Sequence, residues 1–250
     1  LVDQRIAALL GQPLSADDAV QVALFNNAGL QATFEDLGIA QAEVVTAGQL
    51  RNPDIAGFFR FPSSPPSGLN WNIGIDAWLL DAFLVPVRQR LANASEDQTL
   101  RLVTQQVVRL AADTRAAYFA LQADSAALRA QESLTEVARL ALDLSRVQGA
   151  SGNADDLRVA ADRSAYQQTT LSLLQARSAE RASLERLRAL MGLTDRPVAW
   201  MLVREAPGPT SGEPGEDELL ALALGSRLDV KAADAEVQRQ EYALELSKKW

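Results

Sequence analysis

The 250-residue chain contains no cysteine and no histidine. That removes disulfide staples, thiol nucleophiles, Cys-ligated zinc and any Ser-His-Asp triad. Carboxylates are then the remaining route to catalysis or metal binding. They form no convergent Asp/Glu set along the chain, and the bundle di-iron pattern needs histidine. No Gly-Lys dipeptide is present to build a phosphate loop. The chain is therefore expected to be neither an enzyme nor the holder of a cofactor. Basic residues are also in short supply, 24 Lys+Arg against 32 Asp+Glu for a net charge of −8. A nucleic-acid binder needs a basic stripe to displace counterions, so no nucleic-acid partner is expected. Aromatics make up only 6%. No stretch approaches the roughly 18 apolar residues of a spanning helix. This excludes a membrane role through helices for this segment, but not one through strands.

What is present is an apolar content of 48%, enough for a substantial core. Ser15 followed by Asp18 reads as a capping-box start. Val22, Leu30, Phe34, Leu37 and Val44 continue a helical stripe, with a break expected at Asn26-Asn27-Ala28-Gly29 and a stop at Asn52-Pro53. Asp54 to Phe61 is short and rich in aromatics. After Pro62-Ser63-Ser64-Pro65-Pro66-Ser67-Gly68 the period becomes two. Leu69, Trp71, Ile73, Ile75 and Ala77 lie on one face, and Asn70, Asn72, Gly74 and Asp76 on the other. Two strands of roughly 8–11 residues with unlike faces fit either a half-buried soluble sheet or a barrel with lipid outside and water inside.

Pro86 is expected in the first turn of the longest element, about Val87 to Gln148, which contains no proline or glycine. Leu100, Val103, Val107, Leu110, Ala117, Leu121 and Leu128 form a heptad seam, interrupted by Thr114 and Asp124. One helix of that length would span roughly 90 Å, a rod; two shorter helices are the alternative. Gly149 to Asn153 breaks it. Asn153 can cap a returning helix, with Asp155 and Asp156 in its first turn at the positive end of the dipole. Gly192 ends that helix. The expected fold is mainly α: a long, coiled-coil-like antiparallel helical hairpin with an inserted two-stranded β-hairpin.

Sliding the chain on itself by 200 residues sets Asp17 on Asp217, Ala23-Leu24 on Ala223-Leu224, and Ala32 on Ala232. Asp18/Glu218, Leu30/Val230, Leu37/Val237 and Val44/Leu244 are conservative matches in the same register. Such repetition implies a duplicated unit. Leu1 without a leader, and Trp250 inside a helical pattern, suggest a segment cut from something longer. The expected organisation is helices over 1–53, a β-hairpin over 54–85, the long helical hairpin over 86–192, a Pro/Gly-rich connector over 193–215, and a second copy beginning over 216–250.

This order of parts resembles the TolC-like outer-membrane efflux proteins. Leu14-Ser15 through Ala23-Leu24-Phe25-Asn26-Asn27, Leu37 through Glu43, and Gly48-Gln49-Leu50-Arg51-Asn52-Pro53 look like the family's opening helix and its approach to the first strand. Gly152 through Leu157 looks like its hairpin apex, and Leu187 through Leu193 like its end-of-helix motif. A second strand pair and hairpin, and an N-terminal lipid-attachment Cys, are not in this sequence.

The resemblance implies a TolC-like half-repeat and a passive export conduit, in the outer membrane with most of this segment in the periplasm. It implies a homotrimer working with a periplasmic adaptor and an inner-membrane pump. Phe59, Phe61, Trp71, Ile73 and Ile75 would belong to membrane strands facing outer-membrane lipid. Gln148, Gly149, Gly152 and Asn153 would meet the adaptor, although a tight turn uses glycine in any case. Asp155 and Asp156 would either line a pore entrance or simply stabilise a helix start. Trp71 and Trp78 would form an aromatic girdle or pack as ordinary aromatics. The Arg-rich face from Arg177 to Arg188 reads as a solvated or inter-helix surface. A soluble helical-hairpin scaffold or periplasmic adaptor is the alternative.

Overall fold

The computed structural model describes residues 2–61, 70–76, 81–151, 155–194, 200–203 and 215–248. In chain order these form α1 (Val2–Leu10), β1 (Pro13–Leu14), α2 (Ala16–Asn26), α3 (Ala28–Ala47), β2 (Asp54–Arg60), β3 (Asn70–Asp76), α4 (Asp81–Ala150), α5 (Asp156–Leu190), β4 (Met201–Leu202), α6 (Glu216–Ser226) and α7 (Leu228–Lys248). They divide into two compact units. Leu1–Gln31 joins Gln106–Glu213, and Ala32–Gln105 joins Pro214–Trp250.

In the first unit α2 starts where the sequence says it should. The Ser15 hydroxyl accepts from the Asp18 amide while the Asp18 carboxylate accepts from the Ser15 amide, a complete capping box. Ala19, Val20, Val22 and Ala23 are its buried face. Of these, Ala19, Val22 and Ala23 join Ile6 and Leu10 of α1, Ala117, Tyr118 and Leu121 of α4, and Leu187 and Met191 at the end of α5 in one core. Asn26 and Asn27 interrupt the helix and then reach across the chain. Asn26 Nδ2 donates to the carbonyls of Met191 and Gly192 at 2.9 and 2.8 Å, and Asn27 Nδ2 donates to that of Leu190 at 2.9 Å. These side chains satisfy carbonyls that a helix end leaves open. Gly192 turns the chain with φ +68, and a Cβ there would stand 2.3 Å from the Asn26 carbonyl oxygen.

Partners along α4 and α5 run in opposite order: Asp124 with Ser183, Glu132 with Arg177, and Gln131 and Thr135 with the Thr169 carbonyl. This is an antiparallel hairpin. Of the expected seam, Val103, Ala117 and Leu121 are buried, whereas Leu100 is exposed, as is Phe34 of the earlier stripe. The two polar interruptions are both accommodated. Thr114 is buried with its hydroxyl bonded to the Leu110 carbonyl, and Asp124 accepts from the Ser183 hydroxyl.

One feature escapes the sequence reading altogether: the parallel pairing of β1 with β4, Pro13 with Met201 and Leu14 with Leu202. The buried Tyr118 hydroxyl donates to the Leu14 carbonyl at 2.8 Å, and Gln122 donates to the Val203 carbonyl at 2.8 Å. Burial pushes the Tyr118 phenol up from its ordinary value.

In the second unit, α7 packs on the opening stretch of α4. Arg90 bonds Glu245 at 3.2 Å and lies over the Tyr242 ring, and Ala232 and Ala235 are buried. Pro86 corrects the sequence reading. The helix begins at Asp81, so the proline sits in its second turn, where it has no N–H to donate to the Ala82 carbonyl. Five residues without glycine or proline, Asp81 to Val85, extend the helix ahead of it.

Candidate membrane ribbon and hairpin apex

β2 and β3 pair antiparallel from Asp54↔Asp76 to Arg60↔Asn70. Because strand side chains alternate, this register decides both faces at once. Ile55 with Ile75, Gly57 with Ile73, and Phe59 with Trp71 make one face wholly apolar. Asp54 with Asp76, Ala56 with Gly74, Phe58 with Asn72, and Arg60 with Asn70 make the other. The apolar face is not packed. Ile55, Phe59, Trp71, Ile73 and Ile75 are each more than half exposed. Isolated exposed hydrophobics are unremarkable, but five on one side of a ribbon form a contiguous patch of the kind that marks a binding surface.

Four of the membrane-strand residues named from sequence thus share one face, and Phe61 follows directly after β2 with 78% exposure. Ile55 and Gly57 were missed because alternation in 54–60 is obscured by the adjacent Phe58 and Phe59; only pairing with β3 resolves it. Among the described residues, seven per strand are paired. Leu69, Ala77 and Trp78 lie outside the described residues. Among those described, each strand of this sheet has a single partner strand.

The hairpin apex is seen only in part. Gln148 and Gly149 do not break α4; they belong to its last turn, which ends at Ala150. A glycine near a helix end costs only about 1 kcal/mol and does not by itself stop the helix. The Ser151 amide closes that turn on the carbonyls of Val147 and Gln148, both at 3.2 Å. Gly152 and Asn153, including the expected cap, lie outside the described residues. The N-cap of α5 is Asp155, which makes no side-chain capping bond, and Asp156 alone of the two acids is in the first turn. Both are exposed.

The sequence reading also missed a second seam. Val137, Leu140, Leu144 and Val147 step by three, four and three along α4 and are each more than half exposed. That spacing is a heptad stripe left without a partner among the described residues. No described helix is long and apolar enough to cross a membrane.

No family model matches the sequence, and no curated protein matches it. Solved structures do. The outer-membrane channel OprN superimposes with a TM-score of 0.77 at 20% identity, over 93% of this chain and 55% of that one. The outer membrane protein VceC from Vibrio cholerae gives 0.74 at 16%, over 93% and 58%. The CmeC outer membrane channel of Campylobacter jejuni gives 0.73 at 14%, over 93% and 52%. At these identities the likeness is one of fold. The chain spans about half the length of the proteins it resembles, and a mainly α, TolC-like half-repeat is the fold it has.

Proposed function

We propose that this chain is part of the outer-membrane channel of a tripartite efflux or secretion system, a passive conduit across the periplasm and outer membrane. The observation that carries the reading is the β2–β3 ribbon, with an exposed apolar face opposite a polar one. Lipid offers no hydrogen bonds, so a strand pair can enter it only inside a closed barrel. The ribbon therefore joins strands from outside this segment, including those of other copies, and a homotrimer supplies them. Phe59, Phe61, Trp71, Ile73 and Ile75 face lipid in that barrel.

The exposed seam Val137–Val147 supports the same reading, since helices with two apolar stripes pack side by side into a cylinder. The apex residues Gln148, Gly149, Gly152 and Asn153 meet a periplasmic adaptor, which links the conduit to an inner-membrane pump. Asp155 and Asp156 sit at the entrance, where rings of carboxylates favour cations. Single-channel recording of the full-length protein in a planar bilayer tests the proposal. Discrete, stable conductance steps are expected; well-folded protein that inserts without conductance would overturn it.

A further inference from the structure

The register of the ribbon separates charge as well as polarity. β2 and β3 carry three charged residues, Asp54, Arg60 and Asp76, and all three lie on the polar face. Asp54 and Asp76 are directly opposite each other at the end where the chain arrives from α3 and leaves for α4. Like charges directly opposite weaken a strand pair, so this placement carries a cost. Arg60 is six residues away at the far end, about 20 Å at the usual strand rise. Its guanidinium lies over the ring of Phe58, 5.9 Å from the centroid, on the same face. Among the paired residues Phe58 is thus the one aromatic on the polar side, and it holds the cation against the wall.

We infer that this polar face is a charge-ordered wall of the conduit, with a carboxylate pair at the helix end and an aromatic-backed guanidinium at the far end, which adds its own contribution to the ion preference of the pore beside that of the entrance acids. The inference rests on the channel reading above. The Debye length is about 10 Å at 0.1 M salt, so charges about 20 Å apart act on a passing ion in succession rather than cancelling. Two carboxylates against one guanidinium leave this ribbon's share of the wall net negative, which favours cations over anions.

Reversal potentials of the full-length protein under a potassium chloride gradient test this. Arg60→Glu raises the cation-to-anion permeability ratio by about twofold or more, and Asp54→Asn with Asp76→Asn lowers it by a similar factor. Both effects fade at 1 M salt, where the screening length drops to about 3 Å. Phe58→Ala gives a smaller shift, because the guanidinium loses its seat but not its charge. The sequence has no cysteine, so Asn72→Cys and Ile73→Cys provide a second arm that leaves Asp54, Arg60 and Asp76 in place. A negatively charged, membrane-impermeant thiol reagent adds a charge to the wall and raises the cation-to-anion permeability ratio through the former, and leaves the latter unchanged. Unchanged permeability ratios in conducting variants, or a reagent effect at Ile73→Cys and not at Asn72→Cys, would overturn the wall while leaving the pore standing. Absence of conductance from every version would overturn both.

Discussion

The helix pair α2–α3 and the helix pair α6–α7 are two versions of one design. Their starts, Ala16 and Glu216, and their breaks, Asn27 and Arg227, are each 200 residues apart. The break has nearly the same backbone in both, φ −74 and ψ 111 against φ −61 and ψ 112, and in both the amide returns to an alanine carbonyl, Ala23 or Ala223. What differs is the surroundings. α2 buries Ala19, Val20, Val22 and Ala23, whereas α6 buries nothing and exposes Leu219, Leu220, Leu222 and Leu224. Ser15 completes a capping box where Gly215 offers no side chain. Asn26 and Asn27 hold the end of α5, while Arg227 folds back on Asp229 with two bonds of 3.0 and 2.6 Å. Local sequence is thus enough to make the helices and their break, and packing decides which copy is anchored.

The largest contrast is expected between two glycines. Gly192→Ala forces a side chain into a left-handed backbone and onto the Asn26 carbonyl, and should destabilise the first unit by about 2–4 kcal/mol. Gly225→Ala meets open space within a helix and should stabilise α6 by about 0.5–1 kcal/mol. Urea unfolding of both variants checks the pair. Equal effects would break the comparison. Next comes the apolar face. Val22→Ala empties a fully buried site and should cost about 1–3 kcal/mol. Leu222→Ala, at a side chain 66% exposed, should cost less than about 0.5 kcal/mol in this segment. If the second copy is packed in the full-length protein, Leu222→Ala becomes as costly there as Val22→Ala.

Capping gives a smaller difference. Ser15→Ala should cost about 1 kcal/mol, whereas Gly215→Ser should gain only a few tenths, about 0.3 kcal/mol, measured by helix content against urea. The smallest effect is acid sensitivity of α7. A hydrogen bond from Arg239 holds the Glu236 carboxyl at about 2, and one from Arg227 does the same for Asp229. Both lie below the ordinary 4.5 and 3.8. Their stabilisation is therefore complete above those ordinary values and is lost as pH falls through about 2. Carboxyl NMR titration should show these two acids protonating well below their ordinary values, and Arg239→Gln should restore Glu236 toward its ordinary value.

Much of this was legible because it is local. The Ser15–Asp18 spacing, the Asn26–Gly29 break, the Gly192 stop and the alternation through Trp71, Ile73 and Ile75 each act within a few residues. The 200-residue repeat was legible because its two copies stay in register. What was not legible depends on distant partners. Nothing around Leu14 announces that it pairs with Leu202, nor around Asn26 that it caps α5. The apolar face of the ribbon was half visible, since β3 alternates cleanly and β2 needs the register to reveal Ile55 and Gly57. Pro86 misled because proline favours a first turn without requiring it, and Gly149 because one glycine near a helix end is cheap.

The central claim is that the two faces of the β2–β3 ribbon meet two different media. Spin labels placed one at a time from Asn70 to Asp76 in the full-length protein, reconstituted in lipid vesicles, test it directly. Collision with oxygen, which concentrates in lipid, should peak at Trp71, Ile73 and Ile75. Collision with a water-soluble nickel complex should peak at Asn70, Asn72, Gly74 and Asp76. Uniform access to the nickel complex at all seven positions would contradict the account.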